Sequence, residues 1–346
     1  MDLSSLPFPV QIAIFLVAGV VIWIAGIRLS ASTDTISEKF GWGEALGGLI
    51  LLAIVTNLPE IAIVVTASMH NNFELATGNL LGGIAVQTLV IVVLDAFGLG
   101  NQDTLTNRST SLVLVLEAVL VLAVLSLVVI GHQLPASLAL FRITPASFLI
   151  FVCWVVGISV ISKTRKSLPD ISQEKKKLQK NKKADDKDKS IGKAIFIFMT
   201  CAIATLAAGA ALEGTSNAIA KQFHMEGVIF GATILAAITA LPEISTGLAA
   251  VWMKDYEMAI SDILGGNAFL PVLFLLASVL SSKGAAALPN AQKSDIYLAG
   301  LAMVLTAVYI AGLIIQPKKQ YLRMGVDSIV ILMLYILGII GLVYLG

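Results

Sequence analysis

The chain has 346 residues, 57% of them hydrophobic before its 28 glycines are counted, and only 13% are charged, about half the roughly 25% of a soluble domain. With a mean hydropathy of +0.91, that composition excludes a water-soluble globule and predicts a polytopic, all-α membrane protein. The net charge of +1 hides an uneven distribution: residues 163–193 carry twelve Lys or Arg and five Asp or Glu, a net +7, which leaves −6 for the rest.

In chain order, apolar segments bounded by charges, Pro or Asn/Gly clusters predict ten membrane helices, at about residues 9–29, 43–69, 73–99, 111–131, 141–162, 191–212, 226–252, 257–281, 294–316 and 323–345. The short alternating segments of a membrane β-barrel are missing, so helices are the spanning option left. The expected organisation is a five-helix repeat over 1–162, a basic linker over 163–190 and a second five-helix repeat over 191–346. Lys and Arg favour the cytoplasmic side, which predicts a cytoplasmic linker and an outside N-terminus; the expected location is the cell (inner) membrane. A basic stretch beside a bilayer also suits anionic lipid. Cys153 and Cys201 sit in apolar runs with no CxxC or Cys/His cluster, so neither a disulfide nor a zinc site is expected. No cofactor and no nucleic-acid partner are expected; the partners are inorganic cations and the lipid bilayer.

Sliding the chain against itself by 183 residues aligns the halves without a gap, with about 20 identities from Ala25 to Ala85. Thr56-Asn57-Leu58-Pro59-Glu60-Ile61 matches Thr239-Ala240-Leu241-Pro242-Glu243-Ile244, and Leu81-Gly82-Gly83 matches Leu264-Gly265-Gly266. A repeat of five helices, an odd number, makes its second copy enter the membrane from the opposite side. The halves are therefore expected to be inverted repeats, the architecture of secondary transporters with a midplane site on broken helices.

Glu60 and Glu243 fall near the centres of the second and seventh segments, where a lone charged group costs at least about 2.5 to 3.5 kcal/mol. Converging on the pseudo-two-fold axis, two carboxylates neutralise one divalent cation, and oxygen ligands suit hard ions such as Ca²⁺. Pro59 and Pro242 break the helices there, which predicts that the carbonyls of Val55 and Ile238 lose their usual donors. Thr56 and Thr239, one turn earlier, offer hydroxyl oxygen. Asn79, Gln87, Asp262 and Asn267 share the third and eighth segments and are candidate extra ligands; Asp95 reads as interfacial, and Glu117 as pairing with a neighbouring helix.

These residues resemble a known family. TNLPE followed by GNLLGG, and TALPE followed by SDILGG, are similar to the two α-repeats of the cation/Ca²⁺ exchanger superfamily, which includes the Na⁺/Ca²⁺ exchangers. The resemblance implies ten helices as two inverted five-helix repeats, essential glutamates at Glu60 and Glu243, motif threonines at Thr56 and Thr239, and ion-ligating carbonyls at Ala53 and Ala236. The departures are specific. The family's TSLPE serine is Asn57 in one half and Ala240 in the other, its GSN motif is Gly82-Gly83-Ile84 and Gly265-Gly266-Asn267, and the following Asn or Asp is Gln87 and Leu270. In the family these positions serve mainly the flanking Na⁺ sites, with Asn57 a possible replacement ligand here.

The expected function is therefore a secondary active cation antiporter exchanging Ca²⁺ for Na⁺ or H⁺ by alternating access. Proton coupling enters because a buried carboxylate without its cation readily takes a proton. The alternatives are a monovalent cation/H⁺ antiporter and a passive cation channel. An intramembrane enzyme is not expected, since HExxH, aspartate-rich and Ser/His arrangements are missing.

Overall fold

The computed structural model describes residues 6–40, 51–100, 103–109, 111–140, 142–167, 191–281 and 292–345, together with Leu3 and Leu288. Most of the 163–190 linker, with the lipid contact expected of it, and the start of the second segment lie outside these residues.

The first half contains α1 (Phe8–Phe40), α2 (Leu52–Thr56), α3 (Leu58–His70), α4 (Phe73–Gly98), the short α5 (Leu105–Arg108), α6 (Leu112–Gln133) and α7 (Pro145–Ser167). The second contains α8 (Ile191–Gln222), α9 (Gly227–Thr239), α10 (Leu241–Trp252), α11 (Tyr256–Leu280), α12 (Lys293–Ile315), a two-residue hairpin of β1 (Gln320–Tyr321) and β2 (Met324–Gly325), and α13 (Val326–Leu345). Among the described residues, eight of these helices are long and apolar enough to cross a membrane, and α9 with α10 makes a further crossing bent by 42°. Its counterpart in the first half is α2 with α3. The ten expected segments are thus accounted for as two inverted five-helix repeats.

Two helices outrun their apolar segments: α1 continues to Phe40 and α8 to Gln222. Hydrocarbon forces backbone groups to pair within the helix, and polar side chains can accompany such a helix when they pair with it too. Ser32 donates to the Arg28 carbonyl at 2.8 Å, Thr215 to Ala211 at 2.8 Å and Ser216 to Leu212 at 2.6 Å. These hydroxyls are buried, so hydropathy alone ends both helices too early.

The apolar interior divides in two. One cluster joins α1 and α8 through Phe15, Ile22, Leu212 and Ile219, together with Phe230 and Leu235 of α9. The other contains α4, α6, α7, α11, α12 and α13. Glycines mark close approaches of α1 to α10 and of α8 to α3. A Cβ on Gly26 of α1 would lie 2.5 Å from Cβ of Pro242, and one on Gly209 of α8 would lie 2.9 Å from the Pro59 carbonyl oxygen. Gly26 and Gly209 are repeat equivalents, so each half lays a glycine on the helix break of the other.

Candidate cation site

The site is built at the two helix breaks. Asn57 (φ −91°, ψ 18°) and Ala240 (φ −83°, ψ −1°) leave the helical path at equivalent points. Leu58-Pro59-Glu60 and Leu241-Pro242-Glu243 then start new helices. Proline is tolerated in a first turn because it needs no donor there. Each glutamate is consequently in the first turn of α3 or α10, at the positive end of the helix dipole, which favours an anion. At the breaks the carbonyls of Val55 and Ile238 face the main-chain N–H groups of Asn57 and Ala240, two residues on, a separation at which the regular helical hydrogen bond is not made.

Glu60 and Glu243 are almost wholly buried, at 0% and 2% exposure, and none of their four carboxylate oxygens accepts a hydrogen bond. The two charges lie close enough to act on one another, and Asp262 acts on Glu243. Thr239 of the second half neighbours the Glu60 carboxylate. Among the described residues, no three His, Cys, Asp or Glu side chains form a metal cage by themselves. A cation between the glutamates therefore has to be completed by neutral oxygens.

Several neutral oxygens are at hand. The hydroxyl of Thr56 donates to the Leu52 carbonyl at 3.0 Å and accepts from Asn57 Nδ2 at 3.5 Å, and that of Thr239 donates to Ala236 at 3.2 Å; a hydroxyl oxygen has two lone pairs, so each keeps at least one for a ligand. Ala53 and Ala236 are buried, and their carbonyls already accept: Ala53 from the Asn57 side-chain amide at 2.7 Å, and Ala236 from the Ala240 N–H at 3.1 Å as well as from Thr239. Asn57 also accepts from Gln87 Nε2 at 3.4 Å. Gln87 Oε1 and Asn267 Oδ1 are buried without a hydrogen-bond partner, as are both polar atoms of the Asn79 side chain. Asn267 turns its amide to Thr88 at 3.3 Å. Asp262 is half-buried and lines a small cavity with Ser30, Leu52 and Thr246.

The two acids left aside in the sequence do structural work. Asp95 is buried and accepts from the Leu105 N–H at 2.6 Å, the Gly325 N–H at 2.6 Å and the Ser328 hydroxyl at 2.7 Å, tying α4 to α5 and α13. Glu117 of α6 pairs with neighbouring helices, accepting from Ser261 at 2.7 Å with Arg165 at 3.7 Å. Sequence reasoning passed over Thr88, Ser261 and the glycine-on-proline contacts. Of these only Gly26 and Gly209 left a signal, as an identity between the halves.

A membrane bundle of two inverted repeats, with paired buried carboxylates on broken helices, is the architecture of a secondary ion transporter. The chain belongs to the sodium/calcium exchanger protein family, which it matches over residues 10–163 and 193–344. It is thus a multi-pass membrane protein of a family of cation exchangers, which are transporters and not enzymes. It is 24% identical over 274 residues to the inner membrane protein YrbG of Escherichia coli (strain K12), covering 79% of this chain and 80% of that protein. It is also 24% identical over 265 residues to the putative antiporter CaxA of Alkalimonas amylolytica, covering 74% and 76%. Among solved structures, the sodium-calcium exchanger NCX_Mj superposes with a TM-score of 0.62 at 16% identity, covering 96% of this chain and 99% of that one. The H⁺/Ca²⁺ exchanger CAX superposes with a TM-score of 0.67 at 12% identity, covering 97% and 82%. At these identities the structural likeness establishes the fold.

Proposed function

We propose that the chain exchanges Ca²⁺ for Na⁺ or H⁺ by alternating access, with the ion held between Glu60 and Glu243. The observation that carries this reading is the pair of fully buried carboxylates, one from each repeat, with four oxygens that no protein donor satisfies. Such a pair needs a positive charge, and a divalent cation or protons provide it. Thr56, Thr239 and the Gln87 and Asn267 side-chain oxygens complete the shell. Pro59 and Pro242 contribute by holding the glutamates at helix starts. Asn79 and Asp262 are further ligands as the ion moves through. Both counter-ions occur in the names of the fold relatives, one a sodium-calcium and one an H⁺/Ca²⁺ exchanger.

In the same reading the halves are 1–162 and 191–346. The linker at 163–190 is cytoplasmic and in contact with anionic lipid, the N-terminus lies outside, and the host membrane is the inner membrane, as in the name of the E. coli relative. The test is Ca²⁺ flux into proteoliposomes under imposed Na⁺ or H⁺ gradients. Uphill uptake driven by one gradient identifies the counter-ion. Uptake that only follows the Ca²⁺ gradient makes the protein a passive channel, and cation flux unaffected by Glu60→Gln and Glu243→Gln removes the assigned site.

A further inference from the structure

The two halves treat the carbonyl before the helix break differently. In the second half the main chain keeps its bond, from the Ala240 N–H to the Ala236 carbonyl at 3.1 Å. In the first half the Asn57 N–H has turned to the Val55 carbonyl. The Asn57 side-chain amide takes its place on the Ala53 carbonyl, at 2.7 Å. Position 240, an alanine, has no side chain able to do this.

That single bond sets the polarity of everything next to it. The Ala53 carbonyl accepts only, so Asn57 must turn its NH₂ toward it and its Oδ1 away. Oδ1 then requires a donor, and Gln87 supplies Nε2 at 3.4 Å. Gln87 is left with Oε1, buried and without a partner. The pair packs against Gly266 of the second half, where a Cβ would lie 2.9 Å from Asn57 Nδ2 and 3.4 Å from Gln87 Oε1. Reversing either amide would set N–H against N–H or oxygen against oxygen in a buried site, which costs the unmade hydrogen bonds.

We propose that Asn57 is a positioning residue that sets the cation preference of the central site: it covers the Ala53 carbonyl and, through Gln87, presents one amide oxygen to the ion in its place. This rests on the antiport reading above. Without the amide, and with the main-chain N–H of residue 57 turned to the Val55 carbonyl as in the parent, the Ala53 carbonyl becomes a buried acceptor with no donor, a place for a small monovalent cation such as Na⁺. Gln87 at the same time loses the contact that aims its oxygen. The two effects have opposite signs for the two ions.

The experiment compares the full chain with Asn57→Ala, which copies the residue at 240, and with the isosteric Asn57→Asp, which removes the donor at nearly constant shape. Ca²⁺ uptake into proteoliposomes is measured against external Na⁺. In both variants the Na⁺ concentration for half-inhibition should fall by about 3- to 10-fold, the size of one hydrogen-bonding oxygen gained or lost; in Asn57→Ala the Ca²⁺ concentration for half-saturation should rise by a similar factor, whereas in Asn57→Asp, whose carboxylate still accepts from Gln87 and keeps it aimed, it should not rise. Gln87→Leu should raise the Ca²⁺ half-saturation similarly, and adding it to Asn57→Ala should give no further rise, because both act through one oxygen. A merely structural role weakens both ions together, so parallel losses overturn the proposal. Values within two-fold of the unaltered chain in both Asn57 variants, or additive effects in the double variant, also overturn it. Lack of driven flux in the unaltered chain instead refutes the antiport reading itself.

Discussion

Gly82 and Gly265 are equivalent in the repeat, yet their tolerance of a methyl group should differ sharply. A Cβ on Gly82 of α4 would lie 2.2 Å from Ala232 Cα and 2.3 Å from Ala232 Cβ on α9. Carbon atoms rest at about 3.5 to 4.0 Å, so the helices must separate by more than about 1 Å, and the nearer obstacle is backbone that cannot rotate away. Overpacking of this kind costs about 1 to 3 kcal/mol, and a backbone clash places Gly82→Ala at the upper end or beyond. On Gly265 the nearest atom is Ala53 Cβ at 3.9 Å, and on neighbouring Gly83 it is Leu270 Cδ1 at 3.6 Å. Both are ordinary contacts, and their alanine variants should stay within about 1 kcal/mol of the parent. Thermal unfolding of the purified chains in detergent, followed by tryptophan fluorescence, gives the ranking. Because α9 leads directly into Thr239 and Glu243, Gly82→Ala should also weaken Ca²⁺ uptake. Equal melting temperatures for Gly82→Ala and Gly265→Ala would refute the reasoning, since it depends on α4 meeting α9 more closely than α2 meets α11.

Glu60→Gln and Glu243→Gln should each lower gradient-driven Ca²⁺ uptake by roughly ten- to a hundred-fold, the loss of one charged ligand. Their melting temperatures without cation should equal or exceed the parent's, because a buried unpaired charge has been removed. Ca²⁺ at a hundred times its dissociation constant should stabilise the parent by about 2.7 kcal/mol and leave the double glutamine variant unmoved, as read by the same fluorescence melt. Asp95→Asn loses acceptor capacity toward two N–H groups and one hydroxyl. It should destabilise the fold by about 2 to 3 kcal/mol, with the Ca²⁺ half-saturation of the folded fraction unchanged.

The class of fold was legible in the sequence because a membrane leaves the backbone few choices. Apolar runs of spanning length must be helices, and an odd number of them in each repeat must invert the second copy. The paired TxLPE motifs were legible for a related reason: a proline and a carboxylate are both costly in mid-membrane, and their occurrence twice in one register marks a shared purpose. Hydropathy was a poorer guide to α1 and α8, whose polar ends continue as helix because Ser32, Thr215 and Ser216 bond back to the preceding turn.

The sequence by itself determined which residues break the helices, where the two glutamates lie along them and that the halves are related by inversion, since each of these follows from local chemistry in a low-dielectric slab. Only the tertiary structure decided that Asn57 covers the Ala53 carbonyl, that Gln87 thereby keeps a bare oxygen, that Asp95 is a buried tie and that Gly82 is crowded where Gly265 is not. Those properties belong to distances of a few ångströms between helices far apart in the chain. The direction of an amide and the room for a methyl group are set by what packs opposite, and the repeat, which is symmetric in its motif, is not symmetric there.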